Sequence, residues 1–127
     1  RFHCLKHVIP DSYINILQTG ICEDYSMGYH NQPGFRAGIA RPYRFYNLRE
    51  DRSSDLRIIP YQFTDISLTS KQELTHEAAK EIITKLIVGT QSAGGLFVSI
   101  WHNTTLLNSE ACRKWRNLFE FMLKGSF

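Results

Sequence analysis

One apolar run constrains this chain more than anything else in it. Leu96-Phe97-Val98-Ser99-Ile100-Trp101 combines β-branched and aromatic residues with little alternation, the texture of a strand covered on both faces. A helical pattern leads straight into it. Ala79, Ile82, Ile83, Leu86, Ile87 and Thr90 recur at three- and four-residue intervals, and Gly94-Gly95 ends the helix. Ser70 and Thr75 are both candidate caps for its start, with Glu73 three residues after Ser70 as a capping box requires. A helix that feeds a buried strand is half of a crossover unit, and crossover units build parallel sheets.

The rest of the chain fits that scheme. Pro10-Asp11-Ser12 opens a short helix whose apolar side is Tyr13, Ile14, Ile16 and Leu17, and Gly20 closes it. Residues 21–25 read as a brief strand. Residues 56–63 read as another, with Pro60 near its end because proline cannot donate to a ladder. Cys112, Trp115, Phe119 and Met122 mark the inner face of a last helix. Between the first two strands, residues 26–47 mix glycine and proline with Tyr29, Phe35, Tyr43, Phe45 and Tyr46. Such a long aromatic loop in a compact domain points to function. The expected class is α/β, with mostly parallel strands alternating with helices. Three or four strands are too few to close a barrel.

Composition narrows the function classes. A chain of 127 residues, 43% hydrophobic and 21% charged, is one globular domain. No stretch approaches the roughly 18 apolar residues of a membrane span. Arg1-Phe2-His3 opens the chain in place of Met, which suggests a fragment or processed product, and no signal-peptide apolar run follows. Cys4, Cys22 and Cys112 are widely spaced and odd in number, which favours a reducing, cytoplasmic location over a disulfide scaffold. Arg36, Arg41, Arg44, Arg49, Arg52 and Arg57 fall within 22 positions, but a net charge of +3 is too mild for a nucleic-acid binder. The expected reading of this cluster is a solvated face offset by Glu50, Asp51 and Asp55, the alternative being a site for an anionic ligand.

The sharpest local signal is Ser99-Ile100-Trp101-His102-Asn103, where the buried strand runs into a histidine and then polar residues. Ligands of parallel α/β sheets bind at the carboxyl ends of strands, and imidazole suits acid–base work near neutral pH. The alternative is a histidine that merely hydrogen-bonds a neighbouring loop. Asp24-Tyr25-Ser26 ends the first strand. Its carboxylate could orient an imidazole or cap the next turn. His7, His30 and His76 have no partner at metal-ligand spacing.

Taken in order, Arg1-Phe2-His3, Thr19-Gly20-Ile21, Asp24-Tyr25-Ser26-Met27-Gly28-Tyr29 and Pro33-Gly34-Phe35-Arg36-Ala37-Gly38 open a recognisable series. Arg41-Pro42-Tyr43-Arg44-Phe45-Tyr46, Ile59-Pro60 and Gly94-Gly95 with Ser99-Ile100-Trp101-His102-Asn103 complete it. The series resembles the C-terminal half of bacterial polysaccharide deacetylase-like proteins, the NodB-homology class of carbohydrate esterase family four. Its nearest branch is that of Bacteroidetes-type polysaccharide loci. The resemblance implies that residues 1–127 are the C-terminal portion of a distorted barrel of about seven β/α units. It implies a metal-dependent deacetylase acting on N- or O-acetyl groups of a saccharide or polysaccharide. The ligands of its divalent metal, usually zinc, would lie upstream of Arg1, so this portion alone would be inactive. Arg1 would match the arginine that positions the catalytic base, Asp24 the segment supporting the general acid, and His102 the histidine that protonates the leaving group. The Asp24 segment lacks the second Asp and the Trp usual there. Tyr25, Tyr29, Phe35, Arg36, Tyr43 and Trp101 are the expected substrate contacts. A non-catalytic carbohydrate-binding or interaction module on the same fold is the alternative, and an exposed sheet edge would favour self-association.

Overall fold

The computed structural model describes residues 1–69 and 74–125. The helices are α1 (Asp11–Leu17), α2 (Asp65–Thr69), α3 (His76–Ser92) and α4 (Arg113–Lys124). The strands are β1 (Glu23–Asp24), β2 (Tyr43–Asn47), β3 (Arg52–Ile58), β4 (Phe63–Thr64) and β5 (Ser99–Ile100). The proposed capping box of Ser70 and Glu73 lies outside the described residues. Thr75 caps α3, its hydroxyl accepting from the Ala78 amide at 3.1 Å. No described helix is long and apolar enough to cross a membrane.

Residues 52–64 form the spine of the molecule. β1 pairs with β3 in parallel, β2 pairs with β3 antiparallel, and β4 pairs with β5 in parallel. Neither the three-stranded nor the two-stranded sheet closes into a barrel among the described residues. Pro60, which has no N–H to give, separates β3 from β4. Backbone bonds bridge the gap on both sides. Ile59 and Tyr61 donate to Asp24 and Met27 at 2.9 and 3.2 Å, and Gln62 donates to Val98 at 2.9 Å. The Gln62 side chain then accepts from the Val98 amide at 2.7 Å, standing in for a ladder carbonyl. The second strand therefore starts earlier than residues 56–63 suggested and ends at Ile58, just before the Pro60 expected to stop it. The 26–47 segment, expected to be irregular throughout, ends in β2 (Tyr43–Asn47).

Two apolar clusters flank the spine. Phe63, Leu68, Ala79, Ile83, Leu86, Ile87, Leu118 and Met122 form one, between α3, α4 and β4. Tyr13, Met27, Phe45, Leu56 and Ile58 form the other, under α1. Each fully buried aliphatic side chain contributes about 1.5–3 kcal/mol. Leu118, absent from the expected inner face of α4, is its most buried residue, with Trp115 and Phe119 packed partly beside it. At Gly94, φ is +58°, the left-handed geometry that ends α3.

Gly28 marks a close approach of a different kind. A Cβ built there would overlap the ring of Tyr61. That ring is fully buried, with its hydroxyl donating to the Tyr29 carbonyl at 3.1 Å, so it cannot swing aside. Gly28→Ala should destabilise the protein by about 1–3 kcal/mol, the usual cost of overpacking. Urea denaturation checks this, and an unchanged midpoint would show that the ring can yield.

Candidate active site

The parallel register of β4 and β5 matches Phe63 with Ser99 and Thr64 with Ile100. The residues that follow, Asp65 and His102, thus emerge at the same carboxyl edge. Local hydrogen bonds fix the first of them. The Thr64 amide donates to the Ser67 hydroxyl and the Ser67 amide donates to the Thr64 hydroxyl, each at 3.0 Å. This reciprocal box sets Asp65 as the first residue of α2. A 3-10 turn, Asn103–Thr105, then carries Thr105 back over His102, and the Thr105 amide donates to the His102 carbonyl at 3.1 Å.

Four donors converge on the fully buried Asp65 carboxylate. Oδ1 accepts from the Ile66 amide at 2.9 Å and from His102 Nδ1 at 2.6 Å. Oδ2 accepts from the His102 amide at 2.9 Å and from the Thr105 hydroxyl. A carboxylate accepts only, so Nδ1 carries the proton of that contact and Nε2 is the basic nitrogen of the neutral ring. The His102 side chain is 36% exposed, and among the described residues Nε2 has no hydrogen-bond partner. The result is a part-exposed imidazole held at Nδ1, with Nε2 unpaired among the described residues. Trp101 braces it. Its ring meets Phe63 and Phe119 edge-on at 5.8 and 5.2 Å, and its Nε1 donates to the Ser99 hydroxyl at 3.2 Å.

Asp24 sits in a second, separate group. It aligns with Ile58, seven residues before Asp65 on the spine, so the two carboxylates occupy different levels. Its oxygens are taken locally: the Ser26 amide and hydroxyl donate to them at 2.9 and 2.7 Å. This is an Asx turn. The imidazole's carboxylate partner is therefore Asp65 rather than Asp24. The main-chain nitrogen of Arg1 lies 3.8 Å from Asp24. Arg1, Phe2 and Asp24 line a cavity of about 170 Å³ with Ile16, Ile21 and Glu23.

Charge ties further expected residues to Asp24. Burial raises the Tyr13 and Tyr43 phenols above the ordinary range, and the Asp24 charge beside them raises both further. Burial also pushes Tyr61 up to about 12, while the Arg36 and Arg1 guanidiniums pull against it. Asp24 and Arg36 thus act on the same two phenols, Tyr13 and Tyr43, and Arg36 and Arg1 on Tyr61, with Tyr13 and Tyr61 unexpected members of this charge group. The buried Tyr13 hydroxyl lies near Asp24 without closing a hydrogen bond of normal geometry to any described residue. Arg36 itself is exposed and donates to the Gly28 carbonyl at 3.2 Å.

The other expected contacts are dispersed. Tyr25 is exposed and donates to Glu23 at 3.0 Å, a bond that raises its phenol. Phe35 and Trp101 pack partly against the larger core cluster, and Tyr29 is half-buried. The arginine cluster proves to be mostly paired. Arg44, Arg49, Arg52 and Arg57 meet Asp55, Asp11, Glu50 and Glu23 at 2.5–3.5 Å on the surface, contacts worth about 0–1 kcal/mol each.

No three His, Cys, Asp or Glu side chains come together as a metal cage among the described residues. Neither Asp24 nor the Asp65–His102 couple brings a third ligand, so these residues do not themselves fit a divalent ion. Comparison with family models, with curated proteins and with solved structures finds no match.

Proposed function

We propose that this chain carries the proton-donating end of a carbohydrate deacetylase that hydrolyses N- or O-acetyl groups. The supporting observation is the Asp65–His102 couple at the carboxyl edge of two parallel strands. The His102 side chain is 36% exposed, and its Nδ1 is fixed at 2.6 Å by a fully buried carboxylate. In acetyl hydrolysis a water oxygen bonds to the acetyl carbon to give acetate, the bond from that carbon to the sugar nitrogen or oxygen breaks, and the leaving atom must gain a proton. Protonated Nε2 supplies it. Asp65 holds the ring in place and balances its charge while Nε2 carries the proton. The resemblance described above agrees on the role of His102 and differs on its carboxylate, which the geometry gives to Asp65.

The test uses protein produced from the full coding sequence, with zinc added. Acetate should be released from acetylated saccharides, both N- and O-acetylated forms being offered. Saccharide binding without acetate release would overturn the catalytic reading and assign the same rim to a binding module.

A further inference from the structure

Away from these groups, the start of α4 packs beside the start of α3 around a cavity of about 300 Å³ lined by His76, Glu110, Arg113, Lys114 and Asn117. Its side chains are mostly donors, and they sit where positive charge is least welcome. The first turn of α4 holds Arg113 and Lys114 and no acid, although the amide end of a helix favours anions. His76 opens α3, and its Nδ1 is buried without a partner among the described residues. An orphaned buried polar atom is costly unless a ligand or water satisfies it.

The side chains are also held ready. The Lys114 ammonium donates one proton to the Leu74 carbonyl at 2.7 Å and stands 5.5 Å over the Trp115 ring, with no further partner among the described residues. Arg113 gives Nη2 to Glu110 at 2.6 Å, and the rest of its fork has no partner among the described residues. Asn117 adds an amide. Among the described residues, Glu110 is the one acid in the lining.

We propose that this cavity binds the phosphate group of a small organic phosphate. A doubly charged oxyanion answers all the donors at once, and Arg and Lys together suit it. The volume lies at the lower end of the range for small-molecule sites, which leaves room for a compact organic portion. The inference is independent of the deacetylase reading, since it uses none of its residues.

Inorganic phosphate and glucose 6-phosphate are the two probes, followed through the amide resonances of the labelled protein. Both should shift His76, Arg113, Lys114 and Asn117 with dissociation constants on the order of millimolar or tighter, and glucose 6-phosphate should bind more tightly. Replacing Arg113 and Lys114 together by Gln should weaken binding at least about tenfold. Glu110→Gln, which removes the opposing carboxylate, should strengthen it several-fold. All three positions are exposed, so the variants should fold. The proposal fails if these four amides do not respond, if the double variant binds equally well, or if Glu110→Gln weakens binding. Equal affinity for the two probes would reduce the site to one for the bare anion and overturn the organic portion.

Discussion

His102→Ala should reduce the rate of acetate release by about 10²–10⁴, the range for loss of a general acid. Asp65→Asn should come close to it. The reason lies in how the carboxylate is used. Each oxygen accepts two donors: Ile66 N–H and His102 Nδ1 on one, His102 N–H and the Thr105 hydroxyl on the other. An amide can present only one oxygen. Whichever way the substituted amide turns, its NH₂ faces two donors, and either the imidazole or the turn that carries it is released. The variant should therefore lose kcat far more than KM, because ring orientation matters chiefly in the transition state. It should also lose about 1–3 kcal/mol of stability from the donors left unpaired. His102→Ala, at a partly exposed position, should stay folded. A His102→Ala enzyme within a few-fold of the parent would remove the imidazole from the chemistry.

Half of this couple was legible in the sequence. His102 announces itself because an apolar strand run stops at it and polar residues follow. Asp65 offers a similar signal, two residues past the expected end of the 56–63 strand. Yet Thr64-Asp65-Ile66-Ser67 carries no motif, and its importance depends on β4 and β5 being neighbours in register. That pairing joins residues more than thirty positions apart, which local spacing does not reveal. Asp24 has the same appearance, an acid at a strand end, but its oxygens are spent on its own turn.

The strand boundaries failed for a related reason. In β2 the buried positions are Phe45 and Asn47, and Arg44 and Tyr46 face out. A buried asparagine and an exposed tyrosine reverse the polarity on which alternation is read. Asn47 is tolerated inside because its Oδ1 accepts the Arg49 amide at 3.1 Å, closing the hairpin into β3. The helices were easier to read, since α3 keeps Ala79, Ile83, Leu86, Ile87 and Thr90 on its buried side, the spacing seen in the sequence.

Phe63→Ala should be the most damaging change in the core, at about 3–5 kcal/mol. Phe63 is fully buried on β4 and belongs to the larger cluster. Its ring meets Trp101 edge-on at 5.8 Å and Phe97 at 6.1 Å, and Trp101 in turn meets Phe119 of α4 at 5.2 Å. The series runs from β4 across β5 to α4, so the hole left by alanine has walls on three elements and cannot collapse by moving one of them. Because Trp101 directly precedes His102, the same substitution should loosen the imidazole as well as the fold. Phe63→Leu, which retains much of the volume, should lose less stability but still give up the edge-on contact. Urea denaturation of both variants measures the cost, and the His102 side-chain resonances report whether the ring has shifted. A loss under about 1 kcal/mol for Phe63→Ala would mean that the cluster repacks freely, and that Trp101 does not brace the site.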